Sequence, residues 1–326
     1  MRKKILVTGG AGYIGSHTVV ELFSNGYLPV IIDNLSNSSE ENINGINTIL
    51  NTTIPSYIYD CTDKNIMNTF FEEHKDIYAC IHFAAYKSVS ESIVNPEKYY
   101  KNNIGSLKVL LDFLEKNKFK NLIFSSSCTV YGTPDKLPVD ECTLFKKAKS
   151  PYAETKQKCE ILINNSFCNS VSLRYFNAIG SHDSGLIGDL SSDSSSNLVP
   201  IITKVAHGNR KKLVVNGNNY NTYDGTCVRD YIHVQDLAFA HVKALDYLLL
   251  NKGKYVFNVG TGNGLSVLEL IKAYEKVNKV KINYSFGPRR DGDVEIIYSK
   301  SKKIEKDLNW KPKKTLYDAL KSAYKW

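Results

Sequence analysis

Thr8-Gly9-Gly10-Ala11-Gly12-Tyr13-Ile14-Gly15 follows the apolar run Ile5-Leu6-Val7 and leads into a segment with apolar residues at helical spacing. That order of strand, glycine turn and helix, with glycines at 9, 12 and 15, decides the fold. Glycines there permit a tight turn, a close backbone approach to a pyrophosphate and close packing of helix on strand. The helix N-terminus adds a preference for an anion. The next β-branched run ends in Ile31-Ile32-Asp33, about 20 residues on, where a carboxylate accepts hydrogen bonds from a ribose diol. Asn34, Leu35 and Ser36 bring no Arg or Lys for a 2′-phosphate, so the loop favours NAD over NADP.

Outward from this loop, short β-branched runs alternate with helical patterns, the sequence form of a parallel sheet with crossover helices. The runs predict strands at 4–8, 30–33, 56–59, 79–83, 122–126 and 170–175, and helices at 15–23, 65–73, 97–117 and 151–165. The fold class is α/β, a Rossmann-type doubly wound parallel sheet, whose ligands bind outside the carboxyl ends of the strands. After about Asn177 the pattern loosens. Short strands near 213–215, 255–259 and 281–286 mix with helices near 267–277 and 316–325. This predicts a cofactor domain at 1–177, with later segments free to return to it, and a smaller mixed α/β lobe, mainly substrate-binding, at 178–326. The Ser-, Asp- and Gly-rich stretch 181–196 reads as a mobile surface loop or insertion.

Composition narrows the function classes. The 326 residues are 42% hydrophobic and 23% charged, enough for a full core. No apolar stretch approaches the ~18 residues of a membrane span, and Ile5-Leu6-Val7 is too short for a signal sequence. The seven cysteines are odd in number and show no CxxC pair, which argues against a disulfide framework or a metal site and for reduced thiols in the cytoplasm. The net charge of +9 falls in separate clusters (116–120, Lys146-Lys147, 210–212 and 311–314) without a nucleic-acid-binding motif, so these read as solvated faces.

In Ser150-Pro151-Tyr152-Ala153-Glu154-Thr155-Lys156, Ser150 suits the N-cap and Pro151 the first helical position. The i, i+4 spacing then puts the Tyr152 phenol and the Lys156 ammonium on one face. Such a pair also occurs by chance on solvated faces. As chemistry, a fixed cation would lower the phenol from its usual pKa of about 10 and make it a usable general base.

With the glycine loop, Ser125-Ser126-Ser127 at a strand end and Tyr152 with Lys156, the chain resembles the extended short-chain dehydrogenase/reductases. Asp33-Asn34-Leu35, Phe83-Ala84-Ala85-Tyr86-Lys87-Ser88-Val89, Tyr99-Tyr100-Lys101-Asn102-Asn103, Ser127-Cys128-Thr129-Val130-Tyr131-Gly132, Arg174-Tyr175-Phe176-Asn177, Val228-Arg229-Asp230-Tyr231-Ile232-His233-Val234 and Pro288-Arg289-Arg290-Asp291-Gly292-Asp293 sharpen the resemblance to the UDP-glucose (UDP-galactose) 4-epimerases.

The resemblance implies a reversible oxidation at carbon 4 of a UDP-hexose, with Ser127, Tyr152 and Lys156 catalytic. It implies that NAD is held by Gly9, Gly12, Tyr13, Ile14, Gly15, Asp33, Asn34, Leu35, Ser36, Asn37, Ser38, Asp60, Cys61, Phe83, Ala84, Ala85, Tyr86, Lys87, Asn102, Ser127, Lys156 and Phe176. For the substrate it implies Asn177, Asn197, Leu198, Arg229, Arg290 and Asp293 beside Ser127 and Tyr152. Ile297 falls at the position that gates N-acetylated sugars, and its intermediate size favours simple hexoses. A homodimer through the helices from Glu97 and Pro151 is also implied. Two departures stand out. Cys128 replaces a usual Ala and is a candidate reactive thiol, and the stretch between Lys156 and Arg174 is short. Read without its motif, Arg229 would be an ion-pair residue with Asp230 or Asp236, and His233 a packing histidine. The rival readings are a nucleotide-sugar 4,6-dehydratase or decarboxylase, and a catalytically idle NAD-binding regulatory protein. A dehydratase usually carries an acidic pair where this chain has Cys128 and Thr129.

Overall fold

Ile5-Leu6-Val7, Val30-Ile31-Ile32 and Ala79-Cys80-Ile81 are fully buried, as continuous apolar runs must be in a sheet covered on both faces. The structure is a computed structural model that describes residues 2–116, 120–190 and 197–326. The predicted helix end at Asn117, the middle of the basic cluster 116–120 and the run Ser191 to Ser196 lie outside the described residues. In chain order the strands are β1 (Lys4–Thr8), β2 (Leu28–Ile32), β3 (Ser56–Tyr57), β4 (Ile77–His82), β5 (Asn121–Ser127), β6 (Asn169–Tyr175), β7 (Asn177–Ile179), β8 (Leu213–Asn216), β9 (Val228–His233), β10 (Lys254–Val259), β11 (Gly264–Ser266), β12 (Tyr284–Gly287) and β13 (Ile296–Ile297).

Seven of them form one parallel sheet in the order β10-β6-β5-β4-β1-β2-β3. The order reverses beside β1, between β2 and β4, and opens a crevice at the carboxyl ends of these strands. The last strand, β10, returns to this sheet from the second half of the chain. The smaller sheet sets β9 between β11 and β13, with β7 also pairing β9, while β8 pairs β12.

Helix Pro151–Asn165 begins and ends where the sequence predicts, Ser150 Oγ accepting the Ala153 amide at 3.2 Å. The single predicted helix at 97–117 is instead Pro96–Tyr99, a π-helical turn Tyr100–Ile104 and an α-helix Gly105–Lys116. A wide turn of this kind shifts the facing of later residues and often marks functional helices. Helix Val234–Leu250, which the periodicity does not predict, packs against helix Tyr13–Ser24 and the sheet. Its Val234, Leu237, Ala240, Ala244 and Leu248 are buried but so are Ala238, Val242 and Leu245, so no clean polar stripe was available to read.

The stretch 181–196, read as a mobile surface loop or insertion, is a loop over its described part, 181–190, but one tied to the core. Ile187 is fully buried in the main core, Ser181 Oγ donates to the Ser322 carbonyl at 2.8 Å, and the Gly188 amide donates to Asn42 Oδ1 at 3.3 Å. Asp183, Ser184 and Leu186 are exposed, so the segment is a surface loop pinned to the core at Ser181, Ile187 and Gly188. All seven cysteines are free thiols.

Candidate active site

The glycine turn is built for close packing. Gly9 has φ 72°, and a Cβ on it would lie 2.7 Å from the Ala84 amide nitrogen; one on Gly15 would lie 2.1 Å from the Gly9 carbonyl. The following helix, Tyr13–Ser24, has no side-chain cap and no acidic residue in its first turn. Its leading amides and positive dipole end are therefore open to an anion. Asp33, at the end of β2, is buried and orders the turn. Its Oδ2 accepts the Ala11 amide at 3.0 Å, and its Oδ1 accepts the Leu35 amide at 2.9 Å and the Ser38 hydroxyl at 2.8 Å. This donor set fits a dinucleotide: an uncapped helix end for the pyrophosphate and a carboxylate held beside it for a ribose.

One cleft joins this turn to the tyrosine and lysine. Its wall carries Gly9, Gly12, Tyr13, Ile14, Gly15, Asp33, Asn34, Ser36, Asn37, Ser38, Asp60, Cys61, residues 83–87 and Asn102, together with Tyr152 and Lys156. Three predicted cofactor residues lie off that wall. Leu35 is turned by a φ of 54°, Phe176 packs with Cys128 and Ile297, and Ser127 sits two residues beyond the wall residue Ser125. Asn42, Tyr59, Ser106, Tyr175, Asp189 and Leu190 also line the cleft and are not among the expected residues: Tyr175 stands in a quoted motif but carries no implied role there, and the others belong to no local motif.

Helix Pro151–Asn165 brings its face to the end of β5. Lys156 Nζ donates to the Ser125 carbonyl at 2.6 Å and lies 5.9 Å from the centre of the Tyr152 ring. The expected lowering of the phenol is not what the protein shows. Burial pushes Tyr152 up to about 12, a hydrogen bond with Ser127 pulls it back, and Cys128 adds to the rise. Burial also draws Lys156 down to about 8, against the opposing influence of Cys159 and Glu160. Ser127 Oγ accepts from the Thr129 amide at 3.2 Å and the Thr129 hydroxyl at 3.0 Å, which leaves its own proton to point elsewhere. The Cys128 thiol is buried and pushed up to about 12 by burial first, so it is a neutral packing group rather than a reactive thiolate.

A buried ion pair fixes this helix. Arg174 on β6 meets Glu160 with Nε at 3.0 and 3.2 Å and Nη2 at 2.6 Å, and Ser126 Oγ donates to the same carboxylate. Lys156 and Glu160 thus grip consecutive residues, Ser125 and Ser126, and Ser127 follows.

On the other side, Asp293 gathers both predicted arginines. Arg290 Nε and Nη2 reach its oxygens at 3.0 and 2.6 Å, and Arg229 Nη2 reaches it at 3.5 Å. Arg229 therefore pairs with neither Asp230 nor Asp236. Asp230 is fully buried and accepts from Thr261, Gly262 and Ser299, and Asp236 accepts the amides of Lys313 and Lys314. Ile297 pairs with Arg229 in register and packs on Cys128, Val130 and Phe176. Asn177 begins β7, while Leu198 begins helix Leu198–Ala206, with Asn197 at its cap donating to Asp189 at 3.3 Å. His233 is a packing residue, its Nδ1 capping the next helix through the Gln235 amide.

The chain matches the family model described as GDP-mannose 4,6 dehydratase over residues 6–323. It is 43% identical to a UDP-glucose 4-epimerase of Bacillus subtilis (strain 168) over 99% of this chain and 96% of that protein. It is 44% identical to one of Dictyostelium discoideum over 99% and 95%. The crystal structure of UDP-glucose 4-epimerase from Bifidobacterium longum in complex with NAD+ and UDP superposes with a TM-score of 0.96, at 43% identity, over 99% of this chain and 97% of that one. The chain belongs to the UDP-glucose 4-epimerase family of extended short-chain dehydrogenase/reductases.

Proposed function

We propose that the protein interconverts UDP-glucose and UDP-galactose through a 4-keto sugar, with NAD as its bound cofactor. The observation that carries this reading is the single cleft in which Tyr152 and Lys156 meet the glycine turn and Asp33. The B. longum relative, solved with NAD+ and UDP, supports the same pair of ligands. Bound NAD supplies the acceptor for the carbon 4 hydride, the donor for its return, and a positive charge near the phenol. Tyr152 takes the 4-hydroxyl proton in one direction and gives it back in the other. Ser127 shares that proton through its hydrogen bond to the phenol. Lys156, fixed on the Ser125 carbonyl, stabilises the phenolate.

Arg229 and Arg290 are read as holding the diphosphate, because a guanidinium fork matches phosphate oxygens and stays charged. Asp293 aligns both. Asn177, Asn197 and Leu198 complete the proposed nucleotide contacts. Residues 1–177 with β10 and helix Val234–Leu250 form the proposed cofactor domain, and the rest of 178–326 the substrate lobe. Free thiols throughout support a cytoplasmic protein, and exposed Ile93, Val94 and Ile161 near the predicted dimer helices support a homodimer.

The dehydratase alternative is disfavoured at Cys128 and Thr129. A buried neutral thiol and a hydroxyl committed to Ser127 supply no acid and base for elimination. The test is incubation of purified protein with UDP-galactose and, separately, with UDP-N-acetylgalactosamine, without added reductant. UDP-glucose is the expected product from the first, and Tyr152→Phe is expected to remove most turnover. A 4-keto-6-deoxy product by mass spectrometry would sink the epimerase reading, and unchanged turnover in Tyr152→Phe would remove Tyr152 from the chemistry.

A further inference from the structure

Residues 181–190 follow β7 and end on the cofactor cleft, where Asp189 and Leu190 form part of the wall. Several side chains fasten them to the opposite wall, and Asn42 makes the most bonds. Asn42, 1% exposed, donates through Nδ2 to the Ala11 carbonyl of the glycine turn at 2.9 Å and to the Gly188 carbonyl at 3.4 Å, and its Oδ1 accepts the Gly188 amide at 3.3 Å. The other side of Ala11 is held by Asp33, which accepts its amide at 3.0 Å. Asn42 stands on helix Glu40–Leu50, and that helix touches the segment backbone to backbone: a Cβ on Gly45 would lie 2.2 Å from the Leu186 carbonyl. Two further ties close the same seam, Lys87 to Asp189 at 3.4 Å and the Tyr13 hydroxyl to the Gly180 carbonyl at 2.5 Å.

We infer that Asn42 is a positioning residue for the cofactor: it latches segment 186–190 onto the glycine turn, so that bound NAD exchanges only when this seam opens. The inference rests on the epimerase reading, and that chemistry gives the latch a purpose. Net redox over a full cycle is zero, so the enzyme never needs to exchange its cofactor, and loss of the reduced form in mid-cycle would strand a keto sugar. A dehydrogenase that releases reduced cofactor every turnover would have to open such a seam in each cycle. A fully satisfied buried amide is suited to the task because breaking it exposes both carbonyls and the Gly188 amide at once.

The test uses wild type, Asn42→Ala and Asn42→Asp, each loaded with radiolabelled NAD and chased with excess unlabelled NAD well below the melting temperature. Retained label is counted after rapid gel filtration, with circular dichroism as the folding control. Asn42→Ala is expected to exchange NAD about tenfold faster, the effect of losing one to two neutral hydrogen bonds from the closed state. Asn42→Asp keeps the size but turns a carboxylate toward two carbonyls, so it is expected to be at least as fast. An Asp variant with wild-type exchange would mean that Asn42 only fills space, and exchange within about twofold of wild type in both variants overturns the latch. Hydrogen exchange of the wild-type peptide spanning 182–190 tests the same claim without a mutation. Its amides must be better protected with NAD bound than after stripping, and equal protection overturns the inference. A wild type that holds no labelled NAD at all refutes the cofactor reading itself, an outcome distinct from the failure of the latch.

Discussion

Replacing Lys156 by Met removes the cation while keeping an unbranched apolar stem in a buried site. The ammonium lies 5.9 Å from the centre of the Tyr152 ring. With an effective dielectric of about 20, a unit charge about 6 Å from an anionic oxygen, the ring-centre distance standing in for that separation, favours the anion by about 3 kcal/mol, or about two pKa units. Burial already holds the phenol up at about 12, so losing the cation deepens an existing deficit and cuts the phenolate fraction at pH 7 about a hundredfold. The expected result is a kcat lower by about that factor, with the acid limb of log kcat displaced upward in pH. Wild type should show a second feature: Lys156 loses its proton near 8, so the gain in rate with pH should flatten there, and the Lys156→Met variant cannot flatten in this way.

The stability side runs in the opposite sense. A lysine whose folded pKa is depressed to about 8 from 10.5 destabilises the fold below pH 8, and this penalty is relieved as the pH rises through the interval to 10.5. The Lys156→Met protein should therefore gain from losing the buried charge at pH 7, offset by the lost bond to Ser125. Circular dichroism of the variant at pH 7 separates lost activity from unfolding. The assay is UDP-galactose conversion from pH 6 to 10, coupled to oxidation of the UDP-glucose formed, at measured and equal NAD content. A kcat within about fivefold of wild type at pH 7, or an unmoved acid limb, would refute the electrostatic argument.

Glu160→Gln leaves the Arg174 guanidinium buried without its carboxylate, both side chains being only 7% exposed. The expected cost is about 3–5 kcal/mol, a fall in Tm of about 4–7 °C for a chain of this length, and calorimetry showing a loss below about 1 kcal/mol would disprove it. Ile297→Ser tests the gate: the preference for UDP-galactose over UDP-N-acetylgalactosamine, as a ratio of kcat/KM values, should narrow at least about tenfold, and an unchanged ratio would remove Ile297 from substrate choice.

The parts of this molecule legible in the sequence are those written in consecutive residues. Ser150 and Pro151 mark the start of the catalytic helix because capping is a local matter, and the glycine turn is legible because its φ values and close approaches belong to neighbouring residues. Helix Val234–Leu250 was hidden because burial on most of its faces erases the helical period. Asn42, Asp189 and Leu190 were hidden for another reason: they reach the cleft from segments about 150 residues apart, and no spacing rule spans that distance. The shared carboxylate of Asp293 was half visible. Its motif was plain, but its grip on Arg229 depends on β9 and β13 lying side by side, with Ile297 opposite Arg229.

That pairing explains why the two ends of the proposed substrate site differ in kind. At the nucleotide end, two guanidiniums share one carboxylate, so the corner keeps an excess positive charge and its arginines are aligned before a diphosphate arrives. At the proposed hexose end, Ser127 is hydrogen-bonded to Thr129 and Tyr152, and the next residue, Cys128, joins Val130, Phe176 and Ile297 in a buried apolar cluster with a neutral thiol. If that cluster backs the hexose as proposed, Tyr152 and Ser127 hold only the 4-hydroxyl and the rest of the ring meets a surface that opposes rotation by shape alone. Return of a hydride to the opposite face of carbon 4 requires that rotation without release of the nucleotide. The proposed arrangement, a charged clamp beside a weakly bonding hexose surface, would meet both conditions, whereas a ring of directed hydrogen bonds around the hexose would hold one face toward the cofactor and leave an oxidation without its reversal.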